Sequence, residues 1–308
     1  MAQAAESSGM SRVGIFPQMP EAEYRELQAA NWSTLKHFRR SPAHVKFEMD
    51  SESKPSFEQN LGTIQHMAIC EPAKFVNQYF VLPEFQWNSK QAKENAVSVL
   101  TKAEVIPASR DPEELLSLRK SELLEVLCEG GRKPIEQDVY QTCREMSRAI
   151  WANKFAKKLL EGCTLTEASM LWNDSATGVY CKGRVDLYHE RLGYLIDLKT
   201  TDNASFYAFR ASVERFGYAP QLAHYKNGLE ALGKKVKQVI LLAVENRPPY
   251  GVAIYALSEG AINTSKVLLE EYLRRWQYCL QTDSWPSYQQ EPQDMDLSER
   301  GYNQLEAL

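Results

Sequence analysis

The residues best suited to chemistry are two aspartates and a lysine, in two segments whose composition favours adjacent β-strands. Asp186 ends the segment 183–186, and Asp197 lies eleven positions further along the chain. Asp197 and Lys199 are two residues apart, so in a strand their side chains leave the same face. Leu198 between them then points the opposite way, into a core. The spacing from Asp186 to Asp197 accommodates a strand end, a turn and the next strand.

Two carboxylates that converge on one spot repel each other unless a cation lies between them. Their oxygens are hard ligands that favour Mg²⁺ or Mn²⁺. An ammonium group beside such a cation can orient an attacking water or stabilise charge on a phosphate. Asp186, Asp197 and Lys199 therefore suit metal-assisted hydrolysis of phosphodiester bonds. The simpler alternative is a surface ion pair, but both aspartates are predicted to end apolar strands, where unused charges are costly.

A second polar pair lies on the helix predicted after these strands. Gln221 and Tyr225 are four residues apart, so both side chains project from one face of that helix. They can hydrogen-bond a phosphate or hold Lys199. The alternative is a helix with one buried tyrosine. His224 projects from another face, which indicates a structural or surface residue.

His66 lies near the end of an otherwise apolar helical face in the first third of the chain. A lone histidine in that setting is usually a core residue with a satisfied hydrogen bond. Two aspartates that require a third ligand give it another role, because a neutral imidazole binds divalent metals.

Composition and charge narrow the class of protein. The 308 residues are 44% hydrophobic and 25% charged, which is typical of a globular chain with a sizeable core. The formal net charge of −4 and the pI of about 5.9 do not have the bulk-basic character of a typical DNA-binding module. A nuclease stays compatible with them, since clustered carboxylates lower the total charge while local basic patches still meet phosphates.

The distribution of apolar residues and cysteines points to a cytoplasmic protein. No run approaches the roughly 18 apolar residues of a membrane span, and residues 1–20 lack the apolar segment of a signal peptide. The six cysteines form no CxxC pair and fit no zinc or iron–sulfur spacing. We expect them to be reduced and mostly buried.

The first part of the chain has the spacing of helices. Residues 24–50 are predicted to be helical, with a cap at Asn31 and a break at Ser41-Pro42. Residues 57–70 are predicted to form a further helix, because apolar residues recur at helical spacing.

The polar, charged and helix-prone residues 88–150 indicate a helical layer inserted into the domain. Residues 138–160 are predicted to form one long helix. Its apolar side carries Val139, Cys143, Met146, Ile150, Phe155 and Leu159.

From Thr166 the pattern changes to strands, and the third and fourth strands are separated by a helical segment that is broken near Gly217. A last helix begins after Ser258, with Leu268, Tyr272, Trp276 and Leu280 at four-residue steps on one face. The predicted strands are 169–172, 178–187, 193–198, 236–244 and 250–257.

Helices, three strands, a helix, two strands and a helix predict an α/β (or α+β) fold with a mixed central sheet and helices on both faces. We expect one domain over residues 21–290, with residues 88–150 as its helical insertion. Residues 1–20 are predicted to be a disordered tail and residues 291–308 a polar C-terminal tail.

Four short motifs in this order resemble the PD-(D/E)XK nuclease superfamily. The chain is most similar to the RecB-like branch, and within it to the RecE-type exonucleases (exodeoxyribonuclease VIII). The resemblance covers roughly residues 30–290. The first aspartate motif lacks the proline of the superfamily name, since Val185 precedes Asp186. The motifs are Gly62-Thr63-x-x-His66, Gly183-Arg184-x-Asp186, Asp197-Leu198-Lys199-Thr200 and Gln221-x-x-x-Tyr225.

The resemblance implies a restriction-endonuclease-like core and assigns roles to the motif residues. His66, Asp186 and Asp197, with the backbone carbonyl of Leu198, would bind Mg²⁺ or Mn²⁺. Lys199 would position or activate the attacking water. The pair Gln221 and Tyr225 would support the site and the DNA backbone.

The same resemblance implies an exonuclease that degrades the 5′-ended strand of linear duplex DNA and leaves a 3′ single-stranded tail. The expected partners are double-stranded DNA ends and a RecT-type single-strand annealing protein, without a membrane. The expected assembly is a homo-oligomer, a ring tetramer by resemblance. Two alternatives stay open: a structure-selective endonuclease of the same fold, and a non-catalytic module that binds DNA ends.

Overall fold

The structure is a computed structural model, and it describes residues 12–51, 57–289 and 291–306. Within these residues the strands form a six-stranded sheet and a separate two-stranded sheet. The strands are β1 (Gly14–Phe16), β2 (Tyr79–Val81), β3 (Lys133–Ile135), β4 (Leu165–Asn173), β5 (Tyr180–His189), β6 (Tyr194–Thr201), β7 (Gln238–Glu245) and β8 (Val252–Ala256).

The helices are distributed along the whole described chain, with short 3₁₀ helices at Lys36–Arg39 and Glu114–Ser117. The α-helices are α1 (Glu21–Glu26), α2 (Trp32–Leu35), α3 (Pro42–Asp50), α4 (Phe57–Cys70), α5 (Pro72–Gln78), α6 (Lys90–Lys102), α7 (Lys120–Cys128), α8 (Gln137–Ala152), α9 (Lys154–Glu161), α10 (Phe206–Phe216), α11 (Tyr218–Ala231), α12 (Glu259–Thr282) and α13 (Glu299–Glu306).

The large sheet has the order β1-β4-β5-β6-β7-β8 and is mixed, as predicted. Strands β6 and β7 are parallel, and all other neighbours in this sheet are antiparallel. Helices α10 and α11 make the crossover between the two parallel strands. Strand β7 is buried from Val239 to Val244, which explains its unbroken apolar sequence in the centre of the sheet.

Helices cover both faces of the sheet, which confirms the predicted α/β class. One face packs against α4, α8 and α9 through a core that includes Met146, Ile150 and Leu198. The other face packs against α2, α3, α11 and α12, and its core includes Leu195 and Trp172. The two faces of β6 therefore pack in different cores, with Leu195 in one and Leu198 in the other.

Both predicted tails contain secondary structure, so the disorder expected for residues 1–20 is wrong for the part of them that the structure describes. Residues 1–11 lie outside the described part. Gly14–Phe16 is an edge strand that pairs with Ser169–Leu171 of β4, because the apolar Ile15 packs against the core beneath the sheet. Near the other end of the chain, Glu299–Glu306 forms helix α13.

The predicted helical insertion contains a strand as well as helices. Lys133–Ile135 pairs in parallel with Tyr79–Val81, and Leu100, Leu123 and Leu127 form a separate small core nearby. Helix α8, within the predicted insertion, packs on the main sheet. The structure therefore divides the segment 88–150 between a small satellite core and the main one.

Two helices differ from the predicted ones. The single helix predicted for residues 138–160 is interrupted at Asn153, whose side chain caps α9 by accepting hydrogen bonds from Phe155 N and Ala156 N. Phe155 is exposed as a result. In α12, Ser258 Oγ caps the helix as expected, but Leu280 is also exposed, because steps of four residues drift off the face of a 3.6-residue helix.

All six cysteines are free thiols, as predicted. Cys143, Cys181 and Cys279 are buried, and Cys128 is exposed. Among the helices that the structure describes, none has both the length and the apolar character that a membrane crossing requires.

Candidate active site

The site lies where β5 separates from β6. The two strands pair from His189 to Leu187, opposite Tyr194 to Ile196, and their ladder ends there. Asp186 precedes Leu187 in β5, just beyond the end of this ladder. Its Oδ2 accepts a hydrogen bond of 2.8 Å from Leu198 N. The carboxylate thus accepts a hydrogen bond from a backbone amide of β6 that has no partner in the β5–β6 ladder. Both aspartates lie inside strands rather than at the predicted ends, since β5 continues to His189 and β6 to Thr201.

Asp197 and Lys199 project from the same face of β6, as their spacing predicts. Asp197 is 1% exposed, and its Oδ2 lies 2.7 Å from Lys199 Nζ. This contact is an ion pair without the alignment of a hydrogen bond, so neither oxygen of Asp197 accepts a hydrogen bond from the described residues. Leu198 points into the opposite core.

Helix α11 brings the second polar pair to Lys199. Lys199 Nζ donates a hydrogen bond of 3.3 Å to Gln221 Oε1, and Gln221 Nε2 donates one of 3.1 Å to Tyr225 Oη. Gly183 makes room for this arrangement, because a Cβ at position 183 would lie 2.9 Å from the Tyr225 ring. Lys199 Nζ also lies 4.6 Å from the centre of the Tyr218 ring.

The predicted break near Gly217 is confirmed, and it sets the position of α11. Gly217 has φ +70°, a left-handed conformation that glycine adopts readily, and it ends α10 and begins α11. A Cβ at this position would also lie 2.8 Å from the Trp32 ring. The turn therefore requires a glycine for both its backbone angle and its packing.

Helix α4 brings His66 to the same place from the other face of the sheet. His66 Nε2 lies 2.6 Å from the carbonyl oxygen of Leu198 and 3.4 Å from Asp186 Oδ2. The imidazole, the carboxylate and the carbonyl oxygen therefore converge on one position. The structure brings together every residue that the sequence assigned to the site.

Burial raises the pKa values of both aspartates. For Asp197, burial outweighs the attraction of Lys199 and raises the pKa to about 6. For Asp186, burial raises the pKa, while the nearby His66 opposes the increase. The two carboxylates also repel each other's charge. The site is therefore a region of concentrated, costly negative charge.

The pKa values of the two basic groups are raised as well, but by charge rather than by burial. Burial alone would lower the pKa of His66, but Asp186 and hydrogen bonds with Cys70 and Glu167 raise it well above its ordinary value. Burial would likewise lower the pKa of Lys199, but Asp197 and Asp186 raise it. The buried carboxylates therefore favour the protonated forms of both bases, which offset part of the negative charge.

Glu167 is a site residue that the sequence analysis missed. Its Oε1 lies 3.2 Å from His66 Nδ1, on the side of the ring opposite Leu198. Strands β4 and β5 form a hairpin in which Glu167 lies opposite Asp186 between the pairs Thr166↔Leu187 and Ala168↔Val185. A charged residue in the β4 segment was the signal that the sequence offered. Only the register of the hairpin shows that Glu167 lies opposite Asp186.

His224 is not part of the site. It is buried on α11, where its Nε2 lies 3.0 Å from the carbonyl oxygen of Lys182 and its ring packs 4.8 Å from that of Trp172. Burial lowers its pKa to about 4, so the ring is neutral. The structural role expected for it is confirmed, and the surface alternative is wrong.

The donor set fits a divalent cation. Asp197 is a buried carboxylate that accepts no hydrogen bond among the described residues and has the Lys199 ammonium group beside it, so its oxygens are available to a second cation. Asp186 Oδ2, the Leu198 carbonyl oxygen and His66 Nε2 supply further ligand atoms beside it. Three oxygen donors and one imidazole are compatible with Mg²⁺ and Mn²⁺.

A cleft of about 290 Å³ opens beside Lys199. Aromatic rings and lysines line it, and none of the described lining residues is acidic. The Nζ of Lys182 is bound to the carbonyl oxygens of Tyr24 and Leu27. Lys36 is the exposed cation of the cleft. Its lining includes Trp32, Lys36, Phe216, Tyr218, Gln221 and Tyr225.

Of the two solved structures that follow, the first shares the fold of this chain, and the second has a TM-score too low to indicate a shared fold. The crystal structure of a protein from Eubacterium rectale named "Putative exonuclease" has a TM-score of 0.52 and 13% identity, over 91% of this chain and 96% of that one. The crystal structure of SSO0001 has a TM-score of 0.26 and 14% identity, over 76% of this chain and 98% of that one. No protein of curated function matches the chain.

Comparison with protein families gives a match over most of the chain. The PDDEXK-like domain of unknown function (DUF3799) matches residues 31–295. These residues include both aspartates, Lys199, His66 and the two side chains from α11. The chain therefore belongs to this family of PDDEXK-like domains.

Proposed function

We propose that the protein is a divalent-metal-dependent deoxyribonuclease. The observation that carries the proposal is the buried Asp197, whose carboxylate has Lys199 beside it and no hydrogen bond among the described residues. A carboxylate in this state is costly to a fold that does not use it. Membership of the PDDEXK-like family and the fold shared with the Eubacterium rectale protein support the same reading.

The metal would be held by Asp186, Asp197, His66 and the carbonyl oxygen of Leu198. A divalent cation bound there would supply a Lewis acid for the scissile phosphate and for the attacking water. Mg²⁺ is the cation we propose, with Mn²⁺ as a substitute. The donor set supports this choice, because oxygen atoms predominate in it.

Lys199 would place a fixed positive charge where negative charge develops on the phosphate. Gln221 holds its ammonium group by a hydrogen bond, and Tyr225 holds Gln221 in turn. The Tyr218 ring lies against the same ammonium group. These contacts would hold the Lys199 ammonium group in position at the site.

The cleft beside Lys199 suits a nucleic-acid strand. Bases stack on aromatic side chains, and phosphates are attracted to lysines. Phe216 and Tyr218 lie with ring centres 5.7 Å apart, and Lys36 adds positive charge nearby. The absence of acidic side chains among the described residues of the cleft lining favours an anionic ligand.

The specific activity that we propose is 5′-to-3′ degradation of linear duplex DNA, which leaves 3′ single-stranded tails for recombination by strand annealing. The motif order shared with RecE-type exonucleases supports it. The partners in this proposal are DNA ends and a RecT-type annealing protein, and the proposed assembly is a ring-shaped homo-oligomer.

The test is digestion of linear and covalently closed circular duplex DNA with Mg²⁺, by the wild type and by Asp197→Asn in parallel. We expect loss of the linear DNA alone, and only with the wild type. Cleavage of the circle would show an endonuclease instead. Cleavage of neither, with retained binding to DNA ends, would show a non-catalytic module. Strand polarity is then read from substrates labelled at one 5′ or one 3′ end.

A further inference from the structure

Glu167 has a backbone conformation that requires an explanation. Its φ is +47°, in the left-handed region that residues with a Cβ rarely adopt. Glu167 interrupts β4 between Thr166 and Ala168, which both keep their partners on β5. Strain of this kind persists where the surrounding structure holds it, and it concentrates at functional sites.

The distortion affects both strands of the hairpin at the same point. Leu165 and Ala168 pack on the same core although they are three residues apart, and Val185 and Tyr188 of β5 do likewise. Residues three apart in a regular strand face opposite sides. At Glu167 and the opposing Asp186, the side chains of both strands therefore switch from one face of the sheet to the other.

The consequence of the distortion is a contact with His66. Glu167 Oε1 lies 3.2 Å from Nδ1 of His66, and Nε2 of the same ring lies 2.6 Å from the Leu198 carbonyl oxygen. His66 is the one ion-pair partner of Glu167 among the described residues. The Glu167 side chain is 20% exposed, so water screens this contact only in part.

We propose that Glu167 is a positioning residue for His66. Its carboxylate accepts a hydrogen bond from Nδ1–H, and this bond fixes the ring orientation and the tautomer in which Nε2 is free to bind a metal. The proposal rests on the metal-dependent function proposed above. Partners of this kind on metal-binding histidines typically change metal affinity by about 10- to 100-fold when removed.

Glu167 could instead bind the metal directly, and the two roles give different results in a double-mutant cycle. A positioning residue acts through His66, so its removal has no effect once His66 is gone. A direct ligand, or a residue needed only for the fold, adds its own effect in either background.

The experiment measures Mn²⁺ affinity by titration calorimetry on the full chain without DNA. The variants are Glu167→Ala, Glu167→Gln, His66→Ala and the double variant Glu167→Ala/His66→Ala. We expect Glu167→Ala to weaken Mn²⁺ binding by about 10-fold or more. We expect Glu167→Gln to restore most of the affinity, because its amide oxygen still accepts a hydrogen bond.

In the His66→Ala background we expect Glu167→Ala to change the affinity by less than about 2-fold. A loss in that background equal to the loss in the wild type would overturn the proposal. So would an unchanged affinity in the single variant Glu167→Ala. A wild type that binds no Mn²⁺ at all would defeat the proposed function itself, which separates the two failures.

Glu104→Ala is the matched control, because Glu104 is an exposed glutamate with φ +55° that lies outside the site. Glu104→Ala should not change Mn²⁺ affinity.

A second measurement covers the case in which Glu167→Ala does not fold. Nitrogen-15 spectra of the histidine rings in the Mg²⁺-saturated wild type should show His66 protonated at Nδ1. Protonation at Nε2 would overturn the proposal without any variant.

Discussion

Two largely buried groups in this protein contain the same three residue types, a histidine, an aspartate and a lysine. His66, Asp197 and Lys199 form the site group. The second group, which we call the carbonyl group, consists of His224, Asp174 and Lys182. Each histidine approaches a main-chain carbonyl oxygen of the sheet, that of Leu198 on β6 for His66 and that of Lys182 on β5 for His224.

The partners of the two groups differ. In the carbonyl group, Lys182 Nζ donates to the carbonyl oxygens of Tyr24, Arg25 and Leu27, and Asp174 Oδ1 accepts hydrogen bonds from the turn residue Thr177. Every polar side chain there has a neutral partner. In the site group, Asp197 pairs with Lys199, and His66 lies beside the carboxylate of the neighbouring Asp186, so the partners are charged.

The pKa directions show what this difference does. Burial lowers the pKa of His224 to about 4, with the Lys182 carbonyl opposing the decrease, and it lowers the pKa of Lys182 to about 8, with the charge of Glu21 opposing it. In the site group, charge outweighs burial and raises the pKa values of His66 and Lys199. Buried polar residues thus indicate a functional site when their partners are charged and incompletely neutralised.

Replacement of the two buried aspartates should separate the groups most clearly. Asp197→Asn removes a proposed metal ligand and should lower DNA cleavage by about 10³-fold. Asp174→Asn keeps the turn and should change cleavage little. The measurement is single-turnover digestion of linear DNA, with the melting temperature recorded at increasing Mn²⁺. Mn²⁺ should raise the melting temperature of Asp174→Asn but not that of Asp197→Asn. Equal cleavage by both variants would contradict the comparison.

Replacement of Lys199 should affect the reaction more than metal binding. Lys199→Ala removes a fixed positive charge from the site and should lower the cleavage rate by about 10²-fold. The Mn²⁺ affinity should stay near that of the wild type, because Lys199 is not a ligand. Rate and affinity are measured on the same preparation. A parallel loss of both would show that Lys199 organises the metal ligands instead.

His224 should make the stability of the fold sensitive to acid. His224 has a pKa of about 4 in the folded protein, below its ordinary value of 6.5. The unfolded chain therefore binds more protons between these values, and stability is lost as pH falls from about 6.5 to about 4. The loss from this residue is about 3 kcal/mol. Urea unfolding across this range should show a smaller loss for His224→Gln than for the wild type; identical slopes would argue against the assignment.

The site group should show its own pH dependence in metal binding. Asp197, with a pKa of about 6, and His66, with a raised pKa, must lose their protons before they bind a metal. Mn²⁺ affinity should therefore rise with pH, by up to about 10-fold per pH unit for each proton released. Calorimetry in two buffers of different ionisation enthalpy measures the number of protons. No proton release at pH 6 would contradict the raised pKa values.

Local spacing was sufficient to predict much of this site. The alternation of Asp197, Leu198 and Lys199 predicts which face of a strand each side chain takes, since that depends only on backbone geometry. The four-residue step from Gln221 to Tyr225 does the same for a helix, and both expectations agree with the structure.

The spacing of apolar residues gave the wrong prediction where another interaction competed with it. The helix predicted over residues 138–160 is interrupted because the Asn153 side chain caps a new helix. The predicted N-terminal tail contains an edge strand, because the sheet offers β1 an unpaired neighbour in β4. The periodicity of apolar residues shows neither the cap at Asn153 nor the pairing of β1 with β4.

The sequence by itself determined the α/β class and which side chains share a face, because these follow from periodicities of two and 3.6 residues. Only the tertiary structure decided the separation of β5 from β6 at Asp186, the approach of His66 to Leu198 and the contact of Glu167 with His66. These depend on strand register and on helix packing across the sheet. Glu167 and His66 are 101 residues apart, and no local rule joins them.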